Sequence, residues 1–267
     1  MQVIGICRFS YPALGGFQVD HETIEERMAY LYADQRMQER LRTFEVLTLP
    51  ALRAQTDQNF TFLIIVGDQM PQKWMDALQA LVADLPQAVI MPHPPAPHRQ
   101  AMKRTVNATL TDTGLPSIQF RMDDDDAVGI TFVERLREAT QISRVLVRKN
   151  RHIAIDFNQG YIAQPCAQGL LARGLFHSLW GVALAMVIKP GVPVTTMSFA
   201  HTKIGNFMPV LTLPGEDMFL RGHNSFNDSR QKAGIKPEKL TLLTDKEEDH
   251  FRATFNIDAD HIRARFS

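Results

Sequence analysis

Runs of apolar residues alternate with amphipathic stretches along the first half of the chain. Residues 3–9, 60–67 and 88–91 are nearly all apolar, a pattern typical of strands buried on both faces of a parallel sheet. In residues 117–122, apolar and polar side chains alternate with period two, which indicates a half-buried strand. Apolar residues at helical spacing separate and follow these strands, in residues 23–52, 71–81, 100–110 and 131–139. This order predicts an α/β fold with a doubly wound, mostly parallel sheet and helices on both faces.

The pattern changes after residue 140, where short apolar segments are broken by glycine and proline. They predict a mixed C-terminal part with short strands over residues 145–147, 152–157, 161–163, 186–188 and 194–199. A short helical run is predicted over residues 218–220, and a further helix over residues 258–265. No internal repeat interrupts this order.

The change of pattern also predicts how the chain divides. We expect one domain over residues 1–225, composed of a first half (1–140) and a second half (141–225). The polar residues 226–267 are expected to form a C-terminal extension that packs on the domain. The length of 267 residues suits one large α/β domain or two small ones.

Charge and cysteine content narrow the class of protein. The chain has 29 basic and 29 acidic residues, so its formal net charge is zero, and it has no overall field to attract a nucleic acid or an anionic membrane. Cys7 and Cys166 lack the spacing of a metal or disulfide site, so we expect two buried thiols in a reducing compartment. The N-terminus lacks the features of a signal peptide, and we expect a cytoplasmic protein.

One apolar segment, residues 169–188, raises the question of a membrane. Arg173 and His177 interrupt the segment, and the uncharged run that follows them is shorter than a bilayer span requires. We therefore expect this segment, including Trp180, to form buried core. A one-sided contact with the inner face of the membrane remains an alternative.

The predicted strand over residues 117–122 leads into four consecutive carboxylates, Asp123 to Asp126. Packed carboxylates raise each other's pKa unless a cation neutralises them, and divalent metals such as Mg²⁺ or Mn²⁺ prefer oxygen ligands. Open α/β sheets place their ligands at the carboxyl ends of the strands, where this run lies. A solvated acidic turn is the alternative. We favour a site for a metal and a diphosphate, because the run is short and lies between apolar segments.

Other polar residues are predicted to lie at the same edge of the sheet. Arg8 follows the first strand, Asp68 follows the second, and Arg104 lies on the helix predicted over residues 100–110. Cations could bind phosphates, and a lone carboxylate could bind a base or a ribose. The alternatives are that Asp68 caps the helix that opens near Pro71 and that Arg104 is solvated.

Four motifs in order resemble those of GT-A glycosyltransferases, and the chain is similar to the putative rhamnosyltransferase family of bacteria. The motifs are residues 47–56 with the strand that follows, Lys103-Arg-Thr-Val-Asn107, Arg121-Met-Asp-Asp-Asp-Asp-Ala127 and Gly215-Glu-Asp-Met-Phe-Leu220. The third is similar to an Asp-x-Asp element and the fourth to a Glu-Asp motif. The resemblance covers about residues 3–225. It implies that residues 1–140 form a nucleotide-binding half and residues 141–225 an acceptor-side half. The run of four aspartates leaves the register of the Asp-x-Asp element open.

The resemblance implies roles for the acidic residues of the first half. Asp125 would ligate Mg²⁺ or Mn²⁺, with Asp126 as a further ligand. Asp123 would contact the ribose of the donor or the metal, and its neighbour Asp124 would contact the donor. Asp68 would contact the base or ribose.

The remaining roles belong to the cations and to the second half. Arg104 would face the diphosphate, with Arg8 at the same site. Asp217 would deprotonate the acceptor hydroxyl in an inverting reaction, with Glu216 as the second choice for the base. The alternative is that both acids form the first turn of a helix. His223, six residues beyond Asp217, could supply a nitrogen ligand to the metal, although a lone histidine is more often structural.

These observations predict a metal-dependent, inverting glycosyltransferase of polysaccharide biosynthesis. It would transfer a sugar, with rhamnose as one candidate, from a nucleotide-sugar donor to a hydroxyl of a glycan or lipid-linked acceptor. Two other classes remain open: a metal-dependent phosphoryl-transfer or nucleotide-hydrolysing enzyme, and a non-catalytic protein that binds nucleotide sugars. The sequence leaves the donor, the acceptor and the oligomeric state open.

Overall fold

Two β-sheets organise the protein in the computed structural model, which describes residues 1–15, 21–111, 114–223 and 239–267. The strands are β1 (Val3–Arg8), β2 (Thr61–Gly67), β3 (Ala88–His93), β4 (Ser117–Arg121), β5 (Ala127–Val128), β6 (His152–Phe157), β7 (Gln159–Cys166), β8 (Gly169–Phe176), β9 (Leu184–Ile188), β10 (Val210–Leu213), β11 (Phe219–Gly222) and β12 (Thr241–Leu242). The α-helices are α1 (Ile24–Leu31), α2 (Asp34–Thr43), α3 (Leu49–Arg53), α4 (Gln72–Val82), α5 (His98–Thr109), α6 (Phe132–Ile142), α7 (Arg144–Lys149), α8 (Asp245–Phe255) and α9 (Ala259–Phe266). A π-helix covers Phe44–Thr48, and 3₁₀-helices cover Thr196–Ser198 and His201–Asn206.

The larger sheet has seven strands in the order β10-β6-β9-β4-β1-β2-β3. Strands β4, β1, β2 and β3 are parallel, and β6 pairs in parallel with β10. Strand β9 is antiparallel to both of its neighbours, β4 and β6, so those two strands run in the same direction. The carboxyl ends of β1, β2 and β4 therefore meet at one edge, as the sequence predicts.

Helices cover both faces of this sheet. Val3 and Cys7 of β1 pack into the core under α2, α4 and α6, whereas Ile4 and Ile6 of the same strand pack against α5. Alternate side chains of a strand point to opposite faces, so each face of β1 requires its own apolar layer. The predicted α/β class, with a mostly parallel sheet, helices on both faces and a mixed C-terminal part, is confirmed.

The second sheet has five strands in the order β12-β8-β7-β11-β5 and is mixed in direction. Helices α8 and α9 pack on it through Phe251, Phe255 and Ile262, which share an apolar cluster with Leu220 of β11. Because β5 directly follows the acidic run of residues 123–126, the second sheet begins beside that run.

Three of the predicted short elements are wrong. Residues 145–147 belong to helix α7 rather than a strand, because they continue from α6 after one break and have no strand beside them. Residues 194–199 include a 3₁₀-helix, since Thr195 and Ser198 cap it reciprocally. Residues 218–220 enter strand β11, because β5 and β7 supply the ladder partners that a local pattern cannot reveal.

The apolar segment 169–188 forms strands β8 and β9, and Trp180 between them is half-buried against the core. Among the described residues, no helix combines the length and apolar composition that crossing a bilayer demands. Cys7 is a buried free thiol, as expected, whereas Cys166 is a half-buried one.

Candidate active site

The four aspartates form a tight turn immediately after β4. The backbone N–H of Asp126 donates to the carbonyl of Asp123 at 3.2 Å. In return, the N–H of Asp123 donates to Oδ2 of Asp126 at 3.1 Å, and the N–H of Gly222 donates to Oδ1 of Asp126 at 3.2 Å. The turn is thus fixed to the end of β11, on the second sheet.

Helical residues hold the turn from the other side. Thr48, the last residue of the π-helix, donates its hydroxyl to the carbonyls of Asp124 at 3.1 Å and Asp126 at 2.7 Å. Arg40 of α2 forms a bidentate ion pair with Asp124, in which Nε lies 2.7 Å from Oδ2. Asp124 is 1% exposed, and both of its carboxylate oxygens contact Arg40. This placement does not support its predicted contact with the donor.

A glycine lets the second sheet approach the turn. A Cβ built on Gly222 would lie 2.1 Å from the carbonyl oxygen of Asp125, far inside the contact distance of two heavy atoms. Any other residue at this position would push β11 away from the turn. The close approach also places Arg221, the preceding residue, beside the carboxylates.

The other three carboxylates of the turn form a cluster. Oxygens of Asp123, Asp125 and Asp126 all lie within 4.8 Å of one another. Asp125 and Asp126 are buried, whereas the Asp123 side chain is 45% exposed at the surface of a cleft. We name Asp123, Asp125 and Asp126 the acidic trio.

Electrostatics distinguishes the members of the acidic trio. Burial and, to a smaller extent, the charge of Asp123 raise the pKa of Asp125 to about 6, against the opposing effect of Arg40. Burial and the charges of Asp125 and Asp123 raise the pKa of Asp126 well above its usual value. Burial also acts on Asp123, but Arg8 and further arginines outweigh it and lower the pKa of that carboxyl.

The acidic trio fits a hard divalent cation. Its members offer oxygen ligands from one turn, the donor type that Mg²⁺ and Mn²⁺ prefer. The raised pKa values of Asp125 and Asp126 show that the positive charge around the trio does not fully stabilise both ionised forms. A divalent cation would supply the missing charge.

A cleft of about 160 Å³ opens in front of the acidic trio. Asp123 and Asp126 lie in its wall together with three arginines, Arg8, Arg121 and Arg221. Arg8, at the end of β1, has an Nη atom 3.8 Å from Oδ1 of Asp123. The cleft therefore presents positive charge around a carboxylate cluster.

Two histidines also line the cleft. Burial and, to a smaller extent, the charges of Arg8 and Arg99 lower the pKa of His98 to about 4. Burial lowers the pKa of His201 as well, although its hydrogen bond with Leu179 opposes this effect. Both rings are thus neutral near pH 7, so the two histidines add no positive charge to the cleft.

A strained loop between β8 and β9 forms part of the wall of the cleft. Leu179 and Ala183 adopt φ values of 59° and 55°, the left-handed region that non-glycine residues rarely occupy. The N–H of Leu179 donates to Oδ1 of the buried Asp156 at 2.9 Å, and Nδ1 of His201 lies 2.6 Å from the Leu179 carbonyl oxygen. These bonds fix the loop in its unusual conformation, which places Gly181 in the wall.

Asp68 and Arg104 lie outside the described lining of the cleft. Asp68 is exposed at the end of β2, where its N–H donates to the carbonyl of His93 at 3.0 Å. It does not cap α4, whose N-cap residue is Pro71. Arg104 is exposed on α5, two residues and thus about 200° around the helix from the cleft residue Met102. This placement does not support a contact of Arg104 with the diphosphate.

Asp217 lies at the other end of β11 from the acidic trio. Arg221 lies four positions further along the extended chain, a distance on the order of 13 Å. Its carboxylate accepts hydrogen bonds from Gln159 Nε2 at 2.8 Å and Tyr161 OH at 3.0 Å, and His250 Nε2 of α8 lies 2.8 Å away.

This environment argues against Asp217 as the base at the cleft. Tyr161 packs on Phe251 and Phe255 of α8, whereas Phe219 of β11 contacts Trp180 beside the cleft. Asp217 therefore lies on the side of the second sheet that faces the C-terminal helices. Asp217 as the base stays a prediction, and in this structure β11 separates it from the acidic trio.

Glu216 forms a structural ion pair as well. Its two carboxylate oxygens accept from Nε and Nη2 of Arg135 at 3.0 Å and 2.6 Å. The pair joins the loop before β11 to helix α6. This placement does not support its use as the alternative base.

His223 directly follows Gly222 and is half-buried, and its N–H donates to the carbonyl of Ala163 at 2.8 Å. It lies one residue beyond the hydrogen bond that joins Gly222 to Asp126. Its ring nitrogens do not fall within the 4.8 Å grouping of the acidic trio among the described residues. Its role as a ligand remains a prediction.

Sequence reasoning missed Arg40, Arg121, Arg221 and His201. Arg40 lies 84 positions before its partner Asp124, and helix α2 gives no local signal of that contact. Arg221 had a detectable signal, because it is a lone cation in an apolar strand next to a motif already singled out. Arg121, two positions before the first aspartate, had the same signal.

Comparisons with known proteins complete the description of the site. The family model described as putative rhamnosyl transferase matches residues 2–236, and a search of curated proteins finds no match. Among solved structures, S. aureus TarS (residues 1–349) in complex with UDP-GlcNAc is similar at 9% identity and a TM-score of 0.44, covering 85% of this chain and 60% of that chain. The 4-diphosphocytidyl-2C-methyl-D-erythritol synthase of Anaerococcus prevotii is similar at 10% identity and a TM-score of 0.35, covering 80% and 87%.

Proposed function

We propose that this chain, which belongs to the putative rhamnosyl transferase family, is a metal-dependent glycosyltransferase. It transfers a sugar from a nucleotide-sugar donor to a hydroxyl of a glycan or lipid-linked acceptor. One observation carries the proposal. The acidic trio lies at the carboxyl end of β4, in a cleft that three arginines line. A cation site surrounded by positive side chains suits a diphosphate.

The metal would be held by Asp123, Asp125 and Asp126, with His223 as a further candidate ligand. Asp124, paired with Arg40, keeps the turn in the shape that brings the three together. When bound, Mg²⁺ or Mn²⁺ supplies Lewis-acid stabilisation of the charge on the departing diphosphate. The sequence prediction that assigned the metal to this turn is retained, whereas Asp124 is proposed to position the turn.

The cleft arginines would bind the donor. Arg8 and Arg221 approach the acidic trio from β1 and from the second sheet, and Arg121 from β4. Guanidinium groups bind phosphate oxygens in a bidentate manner and stay charged at any pH at which the protein folds. Asp123, which is the exposed member of the trio, can also accept from a ribose hydroxyl. Asp68 lies at the same edge of the sheet, and its contact with the nucleobase or ribose stays a prediction.

Inversion at the anomeric carbon also stays a prediction, and its base is unassigned because Asp217 faces the C-terminal helices. The anomeric configuration of the product, measured by NMR against that of the donor, decides this point. A phosphoryl-transfer enzyme would instead transfer or release phosphate, and a binding protein would release nothing.

Two measurements test the proposal. The first is thermal unfolding of the protein with a panel of nucleoside diphosphates and their sugars, with and without Mn²⁺, since a ligand that binds only the folded state raises the melting temperature. The second is release of nucleoside diphosphate in the presence of candidate glycan acceptors. We expect at least one nucleotide to stabilise the protein only with Mn²⁺, and its sugar conjugate to react only with an acceptor present.

Asp125→Asn should abolish the Mn²⁺-dependent stabilisation. Glu216→Gln is the matched control, because it changes an acid that binds Arg135 far from the cleft. Stabilisation by nucleotide that survives Asp125→Asn would remove the metal from the proposal. Release of nucleoside diphosphate without acceptor, at the same rate as with it, would favour the nucleotide-hydrolysing class.

A further inference from the structure

Exposed apolar side chains lie on helix α7 and directly before it, at the edge of the molecule far from the cleft. Ile142, Val145 and Leu146 are 74%, 49% and 37% exposed. All six residues of α7 are described, and none of them is buried. We name residues 142–151 the α7 patch. A helix that stays on the surface with its apolar residues uncovered indicates a surface that contacts something.

Cations occupy the rest of the α7 patch. They are Arg144, Arg148, Lys149 and Arg151, all exposed. Among the residues that the structure describes, none of the four forms an ion pair with a carboxylate. The chain from residue 139 to residue 155 contains no aspartate or glutamate. Lys189 adds a fifth positive charge, since its Nζ donates to the Arg148 carbonyl at 2.6 Å.

The orientation of α7 is fixed by one side chain. Val147 packs against the main core, which sets the inward direction of the helix. At about 100° per residue, Leu146 and Val145 lie about 100° and about 200° around the helix from Val147. Their side chains therefore face solvent, and the long stems of Arg148 and Lys149 flank them.

We propose that the α7 patch binds the surface of an anionic lipid bilayer. Apolar side chains at the centre would enter the headgroup region, and the surrounding cations would contact lipid phosphates. A second copy of the chain is a poor occupant, because symmetric pairing would bring two clusters of unpaired cations together. A nucleic acid would use the cations but would leave the exposed isoleucine, valine and leucine in water.

The formal net charge of zero does not contradict this inference. It sums the whole chain, whereas attraction to a surface falls off within about 10 Å at moderate salt. Four cations in a stretch of sequence without aspartate or glutamate, joined by Lys189, can therefore bind an anionic surface while the molecule as a whole stays neutral. The predicted one-sided membrane contact is thus moved from residues 169–188 to the α7 patch.

The sheet defines how the protein would lie on a bilayer. His152 of β6, which follows the α7 patch, and Ser117 of β4 both pair with Ile188 of β9, at the amino ends of β4 and β6. The acidic trio follows the carboxyl end of β4, roughly 17 Å away along that strand. Resting on the proposed function, this orientation turns the cleft away from the bilayer and suits an acceptor whose hydroxyl extends from the membrane, such as the end of a glycan.

Vesicle co-sedimentation tests the inference. The full chain is mixed with vesicles of phosphatidylcholine alone or of phosphatidylcholine with phosphatidylglycerol, at low and at high salt. We expect binding to the anionic vesicles that weakens with salt. The double variant Arg148→Glu with Lys149→Glu should lower the partition coefficient by more than about tenfold, because each cation near an anionic surface contributes about 1 kcal/mol. Val145→Ser with Leu146→Ser should lower it by about tenfold.

Matched controls change equally exposed residues elsewhere. Lys246→Glu replaces an exposed cation that lies between the acids Asp245 and Glu247, and Leu242→Ser replaces an exposed apolar residue of β12. Both should bind vesicles as the parent does, and all variants should keep the parent's melting temperature. Acceptor-dependent activity on a soluble acceptor should also stay unchanged, so failure here is distinct from failure of the proposed function.

Several results would overturn the inference. They are an absence of vesicle binding, equal binding to neutral vesicles, and parental binding by both α7 double variants. A dimer in analytical ultracentrifugation that the Val145→Ser, Leu146→Ser variant dissolves would assign the patch to a second copy. Duplex DNA binding that the charge variant removes, without vesicle binding, would assign it to nucleic acid.

Discussion

Two pairs of neighbouring acids, at opposite ends of strand β11, have opposite surroundings. Asp125 and Asp126 are buried beside the Gly222 end, and burial raises the pKa of both. Asp217, before the other end, accepts from Gln159 and Tyr161 and contacts His250, and Glu216 pairs with Arg135. In the sequence, both pairs were predicted to take part in the reaction, the first as metal ligands and the second as the base. At Asp125 and Asp126, burial and neighbouring carboxylates outweigh the effect of the nearby arginines.

The difference shows what identifies a functional carboxylate here. An acid whose oxygens already accept from neighbouring side chains is satisfied, and its function is to hold elements together. An acid that is buried with other acids destabilises the fold unless a ligand neutralises it. Proteins keep such strain where a ligand compensates it, so the acidic trio is the better candidate for chemistry.

The largest expected effect is on activity. Asp126→Asn keeps the shape of the side chain and removes one charge from the proposed metal site. If a metal provides about 4 kcal/mol of stabilisation in the transition state, turnover should fall about a thousandfold. Acceptor-dependent release of nucleoside diphosphate measures it. A loss of less than about tenfold would mean that the acidic turn is no more functional than the acids at Asp217.

The next effect is on stability. Arg40→Met leaves Asp124 buried without its bidentate partner, which should cost about 3–5 kcal/mol of unfolding free energy. Arg135→Met is the control, because the Arg135–Glu216 pair is partly exposed and should contribute less than about 1 kcal/mol. Urea unfolding measures both. Equal losses would show that burial does not distinguish the two ion pairs.

A pH series separates the acidic trio from ordinary carboxylates. The pKa of Asp125 is raised to about 6 from 3.8, so the folded protein holds this proton more tightly than the unfolded chain. Its contribution to stability is therefore present below about pH 4 and is lost as the pH rises through about 6. In metal-free protein, Asp125→Asn should gain on the parent by on the order of 2–3 kcal/mol between these limits.

Unfolding in the presence of a chelator at successive pH values checks this expectation. Parallel curves for parent and variant would contradict the raised pKa. Addition of Mn²⁺ at pH 7.5 should stabilise the parent and leave the variant unchanged, since protons and metal compete for the same oxygens.

The smallest effect is expected at Asp217. Asp217→Asn keeps only one acceptor oxygen. It therefore loses either the hydrogen bond from Gln159 at Oδ1 or the contacts with Tyr161 and His250 at Oδ2, so stability should fall by about 1 kcal/mol. Turnover should stay within about twofold of the parent. A loss of a hundredfold or more, with unchanged stability, would restore Asp217 as the general base and reverse the comparison.

The sequence indicates the location of the acidic turn but not the contacts around either region. Four aspartates after an alternating strand were sufficient to place the acidic turn at a sheet edge, because strand periodicity and the rule for ligand sites in α/β sheets are local arguments. The surroundings of the Glu-Asp motif could not be predicted, because they come from β7, α6 and α8, which lie far away in the chain. Arg40 and Thr48, which hold the acidic turn, were missed for the same reason.

The sequence by itself determined the α/β class, the strands β1, β2, β4 and β6, and the position of the acidic turn, since apolar periodicity depends only on neighbouring residues. The tertiary structure decided which carboxylates remain uncompensated, because the position of each arginine, tyrosine and histidine around them is set by packing between distant elements. It also decided that β11 is a strand and that α7 is a helix on the surface. A ladder partner or an exposed face exists only after the chain has folded, and no local pattern contains it.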